Sequence, residues 1–201
     1  MTSLFELLTT LNPWWTGQEF ETGKPRLSYF SKIQRYLETD EIMVLSGVRR
    51  SGKTTLLFQT IKYLIDSQHV PPRNILFVNC DEPEISGLEN PLSKVVDTYQ
   101  KEIPAKGTLY LVFDEIQSIQ GWERIIKSLY DRKKYKIIIS GSSSYLLDSQ
   151  LSTLLSGRFF TIPVFPLDFR EYLAFQGIEI TDEPVDLAAR KYELLNQLKR
   201  Y

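Results

Sequence analysis

The dominant pattern along the chain is a series of short apolar runs, each bounded by polar or turn-forming residues. Ile42–Leu45, Asn74–Val78, Leu109–Phe113 and Tyr135–Ile139 are four nearly continuous runs, and Phe159–Val164 is a fifth with Pro163 near its end. Runs without polar alternation mark strands buried on both faces, the signature of a parallel sheet covered by helices. A proline at the end of such a strand is tolerated because it removes only a terminal N–H. The segments between the runs are long enough for helical crossovers, which are right-handed by default. The first run leads through a glycine-containing loop into a helix expected from about 53 to 66. The pattern therefore predicts an α/β fold with helices on both sides of the sheet.

The flanks read differently. Residues 13–27 are rich in Pro, Gly and aromatics and predict an irregular arm. Residues 28–39 predict a short helix with Tyr29, Ile33 and Tyr36 on one face. After the fifth run, 168–175 predicts another short helix. From Pro184 onward, Leu187, Ala188, Tyr192, Leu195 and Leu198 recur at helical spacing up to Tyr201, with no Gly cap or Pro stop. An amphipathic helix ending in this way is expected to pack on chain beyond residue 201. The resulting division is 1–39 for the arm and its helix, 40–166 for the α/β core, and 167–201 for a helical segment.

Composition narrows the function. The chain has 201 residues, 24 Lys+Arg against 25 Asp+Glu, one His and 42% hydrophobic residues. That balance excludes intrinsic disorder and a generally basic nucleic-acid binder. The one basic cluster is Arg132-Lys133-Lys134-Tyr135-Lys136, readable as the solvated entry to the fourth strand or, less simply, as a DNA contact with Tyr135 stacking on a base. Cys80 lies in an apolar run, has no partner for an internal disulfide, and fits a reducing compartment. No uncharged run approaches the roughly 18 residues of a membrane span, and the N-terminus lacks a basic lead, so a cytoplasmic protein is expected, with no membrane contact. His69 has no second ligand at metal spacing.

The candidate chemistry begins at Gly47-Val48-Arg49-Arg50-Ser51-Gly52-Lys53-Thr54, which fits G-x-x-x-x-G-K-[ST] between an apolar strand and a helix. In such a phosphate loop the backbone N–H groups and the helix N-terminus, here through Thr55, face the phosphates of ATP or ADP. Lys53 reaches the β- and γ-phosphates, and Thr54 offers its hydroxyl to Mg²⁺. The third run ends in Asp114-Glu115, the Walker B pattern. There Asp114 completes the Mg²⁺ shell and Glu115 is the general base for an attacking water. No Asn-Lys-x-Asp base-reading motif of a GTPase occurs, and an acidic pair favours hydrolysis over phosphoryl transfer to another acceptor. At the tip of the fourth strand Ser140, or second Ser142, is a candidate sensor of the γ-phosphate, although a Ser-rich turn is the simpler reading. Asn79, at the tip of the second strand, is a candidate for holding Glu115 inactive.

Taken in order over residues 12–175, Asn12-Pro13-Trp14-Trp15, GVRRSGKTTLL, FDEIQ with Gly121-Trp122-Glu123, SGSSSYLL, LSGR and FPLDFREYL resemble the AAA+-type P-loop ATPases of archaea and bacteria that continue into a further C-terminal domain. The resemblance implies a three-layer P-loop NTPase with a parallel sheet of order 5-1-4-3-2, followed by the start of a helical lid that this sequence cuts short. It implies ATP with Mg²⁺ and the roles above for Lys53, Thr54, Asp114 and Glu115. Arg190 and Arg200 are available to a lid, but no motif marks either as a sensor. Arg158, before the fifth strand, corresponds to the position from which ring-forming ATPases reach a neighbouring subunit's site, so a homo-oligomer with Arg158 acting in trans is one expectation. Trp14 and Trp15 precede the first strand, where such proteins place an adenine-contacting segment; they either stack on the base or cover the core. The expected activity is ATP hydrolysis driving a conformational change. A regulatory ATP switch with little turnover and a DNA-stimulated ATPase are the alternatives.

Overall fold

The computed structural model describes residues 3–142, 157–178 and 184–201. The five apolar runs form one parallel sheet: β1 (Ile42–Ser46), β2 (Ile75–Asn79), β3 (Leu109–Asp114), β4 (Tyr135–Gly141) and β5 (Phe159–Pro163), ordered β2-β3-β4-β1-β5. Read from the other edge this is the order 5-1-4-3-2. β1 is buried along its whole length between β4 and β5, which explains its unbroken apolar character.

Helices cover the sheet through apolar positions at helical spacing. In α3 (Lys53–Asp66; α1 and α2 belong to the arm below), Leu57, Ile61 and Leu64 are buried one turn apart, with Leu56 and Thr60 beside them. A four-residue helix, α4 (Pro83–Ser86), leads to α5 (Pro91–Glu102), where Pro91 takes the first-turn position that needs no N–H and Leu92, Val95, Val96 and Tyr99 face inward. α6 (Trp122–Asp131) buries Trp122, Ile126 and Leu129. Sequences 143–156, including most of SGSSSYLL and the start of LSGR, lie outside the described residues.

The arm is more ordered than its composition predicts. Residues Leu4–Leu11 form a helix, α1, in which Ser3 Oγ accepts from Glu6 N at 3.2 Å and Glu6 returns a bond to Ser3 N at 2.7 Å. Glu6 thereby closes a capping box. After it, Pro13–Thr16 makes a 3-10 turn, and α2 spans Leu27–Leu37 with Tyr29 and Ile33 buried. The motif Asn12-Pro13-Trp14-Trp15 then seals the free edge of β2. The outward-facing Phe77 N–H donates to Asn12 Oδ1 at 2.6 Å, and Asn12 Nδ2 donates to the Phe77 carbonyl at 2.9 Å. Both indole N–H groups donate to the Ile75 carbonyl, at 3.1 Å from Trp14 and 2.7 Å from Trp15. Side chains thus satisfy backbone groups that an edge strand would otherwise leave open.

By density of contacts the chain divides after Val164. The second unit, 165–201, carries α7 (Phe169–Phe175), α8 (Pro184–Ala189) and α9 (Lys191–Leu198). Asp168 and Glu171 form a capping box at the start of α7. Phe169, Tyr172 and Tyr201 cluster together, and the Tyr201 hydroxyl donates to the Leu167 carbonyl at 2.6 Å. The single helix expected from 184 to 201 is two helices. They break at Arg190, whose backbone leaves the helical region (φ −99°, ψ 10°) and whose side chain bonds Glu193 at 2.9 Å.

Candidate functional site

The C-terminal ends of β1 and β3 open onto a cleft of about 410 Å³ lined by Arg49, Lys53, Thr54, Asp114, Glu115 and Ser142, among others. The loop after β1 needs its glycines. A Cβ on Gly47 would collide with the Val164 carbonyl and the Ser51 hydroxyl. Gly52 has φ +92°, a conformation that L side chains rarely adopt, and it turns the chain directly into α3. Arg50 also has positive φ. Val48, Arg49 and Arg50 are exposed at the loop tip, Ser51 and Lys53 are buried, and Thr54 is open to the cleft. Thr55 packs towards the arm, 3.2 Å from where a Cβ on Gly23 would lie.

Lys53 Nζ donates to the carbonyls of Gly47 at 3.1 Å and Val48 at 3.2 Å, and lies 3.5 Å from Glu115 Oε1. Thr54 Oγ1 donates to Asp114 Oδ2 at 2.6 Å. The other oxygen, Asp114 Oδ1, accepts from the Ser140 hydroxyl and from Glu115 N. Burial pushes the Asp114 carboxyl above the usual carboxylate range; the hydrogen bonds from Ser140 and Thr54 oppose that, and the nearby Glu115 charge adds to it. Burial likewise raises the Cys80 thiol, with smaller contributions from Asp114 and Glu115, so it stays protonated. Glu115 has φ +49°, unusual for a non-glycine residue, and the 3-10 turn that follows brings Gln117 Nε2 to its Oε2 at 2.6 Å.

A hydroxyl and a carboxylate held 2.6 Å apart at a cleft fit a hard divalent cation, which takes oxygen ligands. Among the described residues no group of three His, Cys, Asp or Glu could hold a metal alone. That suits Mg²⁺, which is usually bound by one or two protein oxygens together with substrate phosphates and water.

Ser140 and Asn79 differ from the sequence reading, and the structure also locates Trp14, Trp15 and Arg158. Ser140 is fully buried and braces Asp114 and the Glu115 N–H, so it is not exposed to a phosphate; Ser142 lines the cleft instead. Asn79 lines the cleft but spends its amide on Glu82 Oε1 and the Asp81 N–H, not on Glu115; Gln117 takes that place. Trp14 and Trp15 are only 3% and 5% exposed and bond the first residue of β2, whereas the loop follows the last residue of β1. Trp15 stacks on Tyr99 and Trp14 packs against Phe20 and Phe58, so this placement supports core cover and not adenine contact. Arg158 lies at the opposite end of the sheet: its carbonyl accepts from Ile42 N at 2.8 Å, and its guanidinium pairs with Asp131 at 3.3 Å. Five strand residues separate it from Gly47, roughly 16 Å at the usual rise.

Three site residues escaped the sequence reading: Gln117, Arg26 and Gln59. Arg26 Nη1 donates to the Ser51 carbonyl at 2.7 Å, and Gln59 ties residues 22–26 to α3. The available signal was weak: Gln59 is a polar residue on a buried helix face, and Gln117 follows the acidic pair by two.

A family model described as an AAA domain matches residues 39–173. A Haemophilus influenzae protein is 35% identical over 169 residues, 84% of this chain and 42% of that protein. A Methanocaldococcus jannaschii protein is 32% identical over 170 residues, 84% of this chain and 36% of that protein. Both are uncharacterised, and this chain spans less than half of their length. Among solved structures, a closed-state Hsp104 with ATPγS and FITC casein matches with a TM-score of 0.60 at 20% identity, covering 85% of this chain and 31% of that one. The S. cerevisiae Hsp104–ADP complex matches with a TM-score of 0.57 at 20% identity, covering 77% and 24%. These likenesses establish an AAA+ fold. From the extent of the family match and the parallel sheet behind the phosphate loop, the chain belongs to the AAA domain family.

Proposed function

We propose that this chain is the nucleotide-hydrolysing core of an AAA+ ATPase that uses ATP and Mg²⁺ to drive a conformational change. The observation that carries the reading is convergence: Lys53, the Thr54–Asp114 pair and Glu115 come from two separate motifs and meet at one cleft. Loop amides and Lys53 hold the β- and γ-phosphates, while Thr54 and Asp114 hold Mg²⁺. Mg²⁺ held by Thr54 and Asp114 would act as a Lewis acid and offset the charge of the phosphates. Lys53 exchanges the Gly47 and Val48 carbonyls for phosphate oxygens, which frees Glu115 Oε1 from its ion pair. Gln117 keeps Oε2 oriented, and Oε1 accepts the proton of the attacking water.

Glu115→Gln should bind ATP normally and lose hydrolysis by two orders of magnitude or more, on the order expected for a general base. Lys53→Ala should abolish ATP binding. Phosphate release and fluorescent-nucleotide titration measure the two; unchanged turnover in Glu115→Gln would remove the glutamate from this role.

A second reading, an ATP switch with little turnover, is favoured by one observation. Lys53 Nζ and Glu115 Oε1 lie 3.5 Å apart, and a slow release of this pair would limit turnover. Steady-state turnover of the chain separates the two. The basic cluster gives less support to a DNA-stimulated ATPase: the Tyr135 hydroxyl is bonded by Gln100 at 2.6 Å, and burial lowers the Lys136 pKa opposite Asp40 and Glu41. No helix among the described residues is long and apolar enough to cross a membrane, and we assign the chain to the cytoplasm.

A further inference from the structure

We propose that Arg26 is a positioning residue that locks one peptide plane of the phosphate loop, and that Gln59 holds Arg26 in place through a strap formed by residues 22–26. The inference rests on the nucleotide reading above.

Gln59 lies in the second turn of α3 and is nearly buried, at 7% exposure. Its Nε2 donates to the carbonyls of Thr22 at 2.9 Å and Lys24 at 2.8 Å, and its Oε1 accepts from Arg26 N at 3.3 Å. One helix side chain thus fixes three backbone groups of the arm. Gly23, with φ +60°, lets the strap lie against Thr55; a Cβ there would stand 3.2 Å from Thr55 Cγ2.

The strap ends at Arg26, which is 4% exposed with its guanidinium 4.5 Å from the Tyr29 ring centroid. Arg26 Nη1 donates to the Ser51 carbonyl at 2.7 Å and sits 3.3 Å from where a Cβ on Gly52 would lie. The Ser51–Gly52 peptide leads into Gly52, the N-cap residue of α3. In a trans peptide the carbonyl of one residue and the N–H of the next point in opposite directions. Pinning the Ser51 carbonyl outward on Arg26 therefore turns the Gly52 N–H the other way, to the side on which a phosphate loop carries its anion. Glycine imposes little backbone preference of its own, so this peptide needs an external restraint to keep its direction. Arg26 supplies it before nucleotide arrives, which lowers the ordering cost of binding.

The test compares Arg26→Met, which keeps the apolar stem and loses the donors, with Arg26→Lys, Gln59→Leu and the double variant Arg26→Met/Gln59→Leu. Arg26→Met should weaken binding of ATP and of ADP about tenfold, the scale of one hydrogen bond from a charged donor. The loss should fall on Kd and KM and not on kcat at saturation. In the nucleotide-free protein, hydrogen exchange should rise at residues 50–54 and stay unchanged across β3 and β4. Arg26→Lys should recover part of the affinity. Gln59→Leu should reproduce the loss, and the double variant should be no weaker than the worse single, because both act through one contact. Unchanged affinity and exchange in Arg26→Met would overturn the proposal. So would a rise in exchange spread evenly over the sheet, or losses that add in the double variant. If wild type and Lys53→Ala bind nucleotide equally poorly, the ATP reading fails, while the exchange measurement still decides whether Arg26 restrains the loop.

Discussion

Asp114 is a tightly held carboxyl. It is 3% exposed, it accepts from Thr54, Ser140 and Glu115 N, and its carboxyl is still raised above the usual carboxylate range because burial outweighs those bonds. The sign of the linkage follows. In the unfolded chain this carboxyl ionises near its ordinary value; in the folded chain it ionises at higher pH. Ionisation therefore favours the unfolded state, by an amount that grows as pH rises from the unfolded pKa to the folded one and is fully present above it. Asp114→Asn should accordingly raise Tm at pH 7 in the absence of metal, with the gain shrinking as pH falls and vanishing well below about pH 4, where both states are protonated. Thermal unfolding across that range measures it, and a Tm difference independent of pH would show that ionisation is not the cause. This is a stability cost expected of a functional site. At this scale the sequence was informative where chemistry demands a fixed spacing: Lys53, Thr54, Asp114 and Glu115 are all found by motif. It misled where burial and direction decide. Ser140 lies within β4 and Ser142 just past its last residue, Gly141, where strand alternation no longer fixes direction, so only the three-dimensional packing assigns Ser140 to Asp114 and Ser142 to the cleft.

At the scale of elements, the strands were legible because a strand buried on both faces has no polar alternation, and α3 was legible because a helix must follow the phosphate loop. The arm was not. Its eight-residue helix is too short for periodicity to separate it from loop, and its tryptophans carry a functional and a structural meaning equally well in sequence. The decisive fact is that β2 is an edge strand whose outward backbone groups need partners. Asn12 supplies two of them, to Phe77 N and Phe77 O, and is fully buried. Asn12→Ala leaves both groups desolvated and should cost roughly 3 kcal/mol of unfolding free energy, from the usual penalty for unsatisfied buried polar groups. Urea unfolding checks the magnitude. The same variant should keep the wild-type nucleotide Kd at temperatures where it is folded, since its contacts lie at β2 and not at the loop after β1. A loss of affinity without a loss of stability would return the arm to the nucleotide site.

At the scale of the whole molecule, the position of Arg158 bears on the expectation that a second copy completes the site. It flanks the N-terminal end of β1, while the phosphate loop leaves the C-terminal end, and within its own chain it is paired with Asp131. A strand of this length cannot be bypassed by one side chain, so any contact of Arg158 with transferring phosphate comes from a second copy. Such a contact is heterologous, joining one end of one subunit to the other end of the next. Sequence order placed Arg158 before the fifth strand; only the parallel sheet fixes that as the far end. Two inactive proteins then make the test. Arg158→Ala has intact loops but no donor, and Lys53→Ala has the donor but no phosphate grip. Each alone should have little turnover, by the factor of 10³ or more that such an arginine contributes in related phosphoryl-transfer sites. Mixed in equal amounts and allowed to exchange subunits, they should regain about a quarter of wild-type turnover, because random neighbours pair an intact loop with an intact arginine at that frequency. Phosphate release against mixing ratio, peaking at equal amounts, measures it. A mixture with no more turnover than the sum of its parts would assign Arg158 to its local pair with Asp131 and leave each chain to work with its own residues.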